Sequence, residues 1–325
     1  MQVGTVETFR GPVPSDGLGL TLIHEHVFVR SLELEVNRPD YEWDPSLAVE
    51  TAVASLMDLH DLGVRTVVDL TVPGLGRDVE LVSQVAARVP INLVAATGWY
   101  TPNSLPPYFR FYGPRGVFGG DEPLVEMFVT DIRDGIAGSD VKAAMLKVMT
   151  DEEGFTPDVV RVMSAVVAAH QETGVSITTH SHPASQNGLG QQTFLVERGV
   201  DPERIVIGHS GDSEDLDYLR ALMDNGSTIG MDRFGMEHVL TDERRVDTVA
   251  RLVELGYADR MVLSHDASFY SHITPPSWRA DHAPNWRMDN IPNRILPMLR
   301  AVGVSPEAID QMMVHNPCRL LERST

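Results

Sequence analysis

The chain of 325 residues is poor in cysteine and in positive charge. Cys318 is its one cysteine, so no intramolecular disulfide framework can hold the fold. Lys and Arg number 26 against 46 Asp and Glu, a formal net charge of −20. That balance argues against nucleic acid and anionic membrane surfaces, whose phosphates need clustered cations. It also would not steer anions inward, so the expected partner is a neutral small molecule. The N-terminus has no basic segment followed by an apolar stretch, and no apolar run approaches the ~18 residues of a membrane span. There is no low-complexity tract and no shift in composition that marks a linker. These absences point to a cytoplasmic, reducing setting and to one domain over residues 1–325.

What the chain does have is a rhythm. Short apolar, β-branched runs occur at 18–27, 64–72, 91–98, 143–149, 175–180, 204–210, 227–232 and 260–266. Each reads as a buried parallel strand. Helix-like segments fill most of the gaps, for example 46–63, with a Ser cap and a closing Gly, and 156–174. Eight strands alternating with helices predict an α/β fold, a (β/α)8 TIM barrel, with a doubly wound sheet as the fallback. Two long connections, 98–123 and 267–287, are rich in Pro, Gly and aromatics. Both follow strands, at the face where barrels place their sites, and are expected to be ordered and to cover a substrate.

Polar residues gather at these strand ends. His24 and His26 stand one residue apart in "LIHEHV", so both can point into the barrel while Glu25 turns to the outer layer as a structural residue. Alone, this pair reads equally as hydrogen-bonded core histidines. Lys147 lies in the fourth run, His180 ends the fifth, His209 the sixth and Asp266 the eighth. Several histidines plus a carboxylate at one barrel mouth suit Zn²⁺ or a similar ion. His60 and His170 read as packed or surface histidines. Lys147 is ambiguous. It reads as a neutral amine base, as a salt-bridged ammonium, or as an amine carboxylated by CO₂ to an anionic carbamate that can bridge two metals.

Taken in order, "HEH", "MLK", "TTH", "GHSGD", "GMDRFG" and "SHD" resemble the phosphotriesterase family of the amidohydrolase superfamily over essentially the whole chain. The likeness is greatest to its phosphotriesterase-like lactonases. The resemblance implies a binuclear centre of two divalent ions, Zn²⁺ first, with Co²⁺, Mn²⁺ or Fe as alternatives. His24, His26 and Asp266 would hold the more buried ion, and His180 and His209 the more exposed one. Carboxylated Lys147 and a hydroxide would bridge them. Asp266, Tyr100 and Arg233 are the implied catalytic residues. Arg233 stands where triesterases proper have His, and Tyr100 matches a tyrosine near the bridging hydroxide. Without the family, Tyr100 reads as loop packing and Arg233 as a partner of an acid such as Glu237. Asp212 matches a position that passes protons outward, or caps a helix starting near 213. His182 and His272 match no ligand position. The implied activity opens the ring of N-acyl-homoserine lactones (quorum quenching), with hydrolysis of organophosphate triesters on the side. The alternatives are a dedicated triesterase, a ligand-binding barrel with little turnover, or a mononuclear deaminase on the same scaffold. The resemblance also implies a homodimer.

Overall fold

A computed structural model describes residues 4–38 and 42–323. A hairpin, β1 (Thr5–Thr8) and β2 (Gly11–Pro14), precedes the main sheet. Then come β3 (Leu20–Val29), β4 (Val64–Asp69), β5 (Asn92–Gly98), β6 (Ala143–Met149), β7 (Ile177–His180), β8 (Ile205–Gly208), β9 (Thr228–Met231), β10 (Met261–Leu263) and β11 (Ser268–Ser271). The sheet order is β10-β9-β8-β7-β6-β5-β4-β3-β11, and every pair in it is parallel. All eight expected strands are present as β3 to β10, and helices surround them, as in a (β/α)8 barrel.

Closure is made by the chain between β10 and β11. Asp266 donates its N–H to His24 O at 3.0 Å, and His26 donates its N–H to Ala267 O at 2.8 Å. β11, inside the segment expected to be a loop, then continues along the far end of β3. The helix Pro276–His282 follows it.

The helix ends follow ordinary capping rules. Thr156 caps Pro157–Thr173, and Gly174 ends it with φ +70°. The cap of Pro45–Asp61 is Asp44, which accepts from Leu47 N–H, and not Ser46. Pro45 fits there because its missing N–H would have gone unpaired in the first turn anyway. No helix among the described residues is long and apolar enough to cross a membrane.

Two apolar clusters hold the fold. The larger joins the outward faces of the strands, such as Val67, Leu93, Leu146, Ile207 and Ile229, to the helices. The smaller fills the barrel with Ile23, Val68, Val94, Ala96, Met145, Val206 and Val262, beneath Val6, Leu18, Leu320 and Leu321. The hairpin is tied on by Arg10, which donates to the carbonyls of Ala86, Val89 and Pro90. The barrel is therefore stoppered with hydrocarbon at its N-terminal end, and its other end is left for polar chemistry.

Candidate metal centre

Simple alternation does not fully account for how β3 delivers its histidines. Leu22 pairs with Val67 and Glu25 with Asp69, so β3 carries one residue more than β4 between these points. Such a bulge re-aims side chains. Ile23 packs in the barrel interior and Leu22 on the outer side, yet His24 and His26 both still turn inward. β6 uses the same device, with Ala95 opposite Ala143 and Ala96 opposite Met145, two residues before Lys147. His209 and Asp266 lie just past the ends of β8 and β10, with φ of +60° and +55°. These are left-handed conformations that residues other than glycine seldom adopt.

The structure brings all six expected ligand residues together. His24, His26, Lys147, His180 and His209 are buried, and Asp266 lies at the floor of the mouth. His24 Nε2 is 2.8 Å from Lys147 Nζ. His26 Nε2 is 3.1 Å from Asp266 Oδ1, and His209 Nε2 is 2.8 Å from His180 Nδ1.

Asp232, to which no role was assigned from sequence, sets the tautomers. Its two oxygens take Nδ1–H of His24 at 2.8 Å and Nδ1–H of His209 at 3.0 Å, and Oδ1 also accepts His209 N–H at 2.8 Å. Gly208 and Gly230 make room for this carboxylate. A Cβ on Gly230 would lie 2.3 Å from Asp232 Oδ2. His26 is fixed by a second missed pair. Thr71 donates its hydroxyl to Asp69 at 2.5 Å, so its oxygen accepts Nδ1–H of His26 at 2.9 Å. Three imidazoles thus have their protons committed outward and aim bare Nε2 lone pairs inward. These nitrogens lie beside His180 and the Asp266 carboxylate, a set of nitrogen and oxygen donors of the kind that holds a divalent ion. The donor set therefore fits a divalent ion.

His24, His26 and Asp266 form one compact candidate group, and His24, His209 and Asp232 another. In the second group Asp232 meets the Nδ1 edges of its histidines, whereas in the first Asp266 faces Nε2 of His26.

The electrostatics agree with neutral His24 and His180 beside ionised Asp266 and Asp232. Burial, then Lys147, pushes His24 down to about 3, against the pull of Asp232 and Asp266. Burial, then His209 and Arg233, holds His180 well below its ordinary value. Burial works against ionisation of Asp266, yet the neighbouring His209, His26, His24 and Arg233 together hold its carboxyl well below the usual range. Burial likewise opposes ionisation of Asp232, and its two histidine partners more than offset it. Burial pushes the Lys147 amine down to about 8, although Asp266 and Asp232 oppose the shift. Burial and then Asp266 push the Tyr100 phenol up to about 12.

Arg233 does not pair with Glu237. It spans Asp266 Oδ2 at 3.1 Å and Asp212 Oδ2 at 2.9 Å. Asp212 also takes the fully buried Arg245 at 2.6 Å. Asp212 caps no helix; Asp215 caps Leu216–Asp224. Burial lowers the Arg233 pKa, but Asp266 and Asp212 raise it further, so this guanidinium holds its charge and does not relay protons. Tyr100 stands edge-on to His180, ring centroids 5.7 Å apart.

A cavity of about 160 Å³ opens over the cluster, walled by Val29, Leu75, Tyr100, Met236, Ile273 and Trp286. The expectation for the long connections holds in part. Segment 267–287 supplies several walls, but 98–123 supplies only Tyr100. Other residues of 98–123, Leu105, Phe109 and Arg110 among them, border a separate cavity of about 690 Å³ with Arg161. His60, His170, His182 and His272 do not line the site. His170 is bound through Nδ1 to Val175 O at 2.8 Å, a packing role.

The model of the phosphotriesterase family matches residues 4–321. The "Phosphotriesterase homology protein" of Mycobacterium tuberculosis (strain ATCC 25618 / H37Rv) is 46% identical over 98% of each chain. The "Aryldialkylphosphatase" of Saccharolobus solfataricus is 37% identical over 94% of this chain and 95% of that one. A solved structure of the phosphotriesterase from Mycobacterium tuberculosis superposes with a TM-score of 0.96, covering 98% of each chain at 46% identity. With that likeness added to the barrel and its histidine-lined mouth, this chain belongs to the phosphotriesterase family and is a metal-dependent hydrolase.

Proposed function

We propose that the chain opens neutral acyl lactones, N-acyl-homoserine lactones among them, and cleaves organophosphate triesters as a side activity. The observation that carries the reading is the cluster of His24, His26, His180 and His209 nitrogens around the Asp266 carboxylate at the barrel mouth, with Nδ1 of three of these rings already bound on the outer side. His24, His26 and Asp266 would hold one ion and His180 and His209 the other. When bound, such a pair lowers the pKa of a water and polarises a carbonyl or phosphoryl oxygen.

The chain's own residues do the rest. Asp266 accepts the proton of the attacking water and returns it to the departing alkoxide, its carboxylate kept ionised and aimed by Arg233. Tyr100 stays protonated at neutral pH and offers its O–H to the oxyanion that develops. Lys147, whose amine burial makes easier to deprotonate, would in its neutral form attack CO₂ through its nitrogen and lose one proton, giving a carbamate that would help to hold the ions. Val29, Leu75, Met236, Ile273 and Trp286 favour an apolar substrate body. A neighbouring cavity of about 370 Å³ shares Ser268 and Trp286 and can take a longer tail.

A second reading, a dedicated triesterase, is favoured by the 37% identity to the aryldialkylphosphatase. A panel of acyl lactones of graded length beside paraoxon separates the two. Turnover of lactones is expected to exceed that of the triester; fast triester and negligible lactone hydrolysis overturns the ranking. A cytoplasmic homodimer belongs to the same reading, checked by light scattering and cell fractionation.

A further inference from the structure

Glu25 lies between the two metal-facing histidines of β3 and points the other way, where it is completely buried. A buried carboxylate is costly unless its oxygens are satisfied. Here the partners come from three residues of one short stretch, Ser264, His265 and Ala267. Oε1 accepts from Ser264 Oγ at 2.8 Å, His265 N–H at 3.0 Å and His265 Nδ1–H at 2.6 Å. Oε2 accepts from Ala267 N–H at 2.9 Å. No lysine or arginine is recorded against it among the described residues.

Two of these donors are the amides on either side of Asp266, the residue held at φ +55°. Asp266 itself donates its N–H to His24 O, and Ser264 Oγ accepts His24 N–H at 2.9 Å. One strand thus presents two imidazoles on its inner face and, from the residue between them, grips the backbone that carries the carboxylate. The grip extends further. His265 Nε2 accepts Ile291 N–H at 2.9 Å, which leaves Nδ1 as the protonated nitrogen, and His265 O accepts Trp286 Nε1–H at 2.8 Å. Trp286 is a wall of the cavity over the site.

We propose that Glu25 is a positioning residue. By binding both amides that flank Asp266, it sets that carboxylate against His24 and His26, and through His265 it places Trp286. The proposal rests on the reading that His24, His26 and Asp266 hold a divalent ion. The plainer role is barrel closure, since β10 has only three residues and Glu25 stands in for the missing ladder. Closure alone would change stability and leave ion binding unchanged.

The test is a Co²⁺ titration of the metal-free protein, followed by visible absorption and calorimetry, with Tm, kcat and KM recorded for each variant. Wild type is expected to take up two ions; if it takes up none, the metal reading fails before this one is reached. Glu25→Gln keeps the shape but sets an amide N–H₂ against a donor. It is expected to weaken Co²⁺ binding at one site at least tenfold, to change the absorption band, and to lower kcat with KM nearly unchanged. Thr66→Val, which removes a hydroxyl bonded to Leu18 O at the far end of the barrel, should lower Tm and leave the titration as in wild type. Should Glu25→Gln fail to fold, Glu25→Asp, which keeps the charge but retracts it, carries the same readouts. Either variant binding both ions with wild-type midpoints and spectrum, whatever its Tm, overturns the proposal.

Discussion

At the N-terminal end of the barrel, Val6, Leu18, Leu320 and Leu321 press on Ile23, Val68, Val94, Val206 and Val262. At the C-terminal end, a few residues further along the same strands, the interior is His24, His26, Lys147, His180 and His209, with Asp232 and Asp266. The first end is closed to water, and the second is buried beneath the cavity over the site. The first gains by removing hydrocarbon from water, which needs no particular direction. The second is held by hydrogen bonds that give His24, His26 and His209 one orientation each, with Nε2 turned to the site. The contrast teaches that burial serves two purposes in one barrel: stability where the wall is apolar, and restraint of charge and tautomer where it is polar.

Five changes probe that division. Asp266→Asn should cut kcat by about 10³-fold in metal-replete protein, with the melting transition kept, measured by initial rates beside calorimetry. The metal-free protein should lose stability as pH falls. His24, with a folded value of about 3 against 6.5 unfolded, stays neutral while the unfolded chain takes up a proton, so stability drains from about pH 6.5 down to about pH 3. That amounts to roughly 3–5 kcal/mol for this group, read from urea midpoints across the range. Leu18→Ala, at the apolar end, should cost about 3 kcal/mol at every pH without changing that slope or kcat/KM of the surviving folded enzyme. Asp232→Asn should weaken metal binding by about 10 to 100-fold, because one histidine then loses an acceptor for its Nδ1–H; a chelator competition measures it. Gly230→Ala, which crowds the same carboxylate, should act in the same direction and more weakly. If an apolar-end substitution moved metal affinity as much as Asp232→Asn, the division would fail.

The contrast also separates what could be read in advance. The strands were legible because β-branched runs recur, and the candidate ligands because they sit where those runs stop. The acids behind the ligands were not. Asp232 in "GMDRFG" looks like a turn residue; its importance comes from reaching His24, 208 positions earlier in the chain. Gly208 and Gly230, the paired glycines on adjacent strands that make room for it, were the available signal. Asp69 and Thr71 were hidden in the same way, behind a partner 45 positions away. The bulges in β3 and β6 come from strand pairing, which no local pattern shows. Glu25 was read as structural from alternation alone; its four donors all lie some 240 positions on, beyond any local motif.

The central claim is that the polar end of the barrel is a cation site before it is anything else. It is tested most directly by stripping the protein with a chelator, returning Zn²⁺ in measured steps, and following hydrolysis of an acyl lactone and of paraoxon. The account predicts no turnover in the stripped protein and activity that rises to a plateau at two ions per chain. Full turnover in protein shown by mass spectrometry to hold no metal would contradict it.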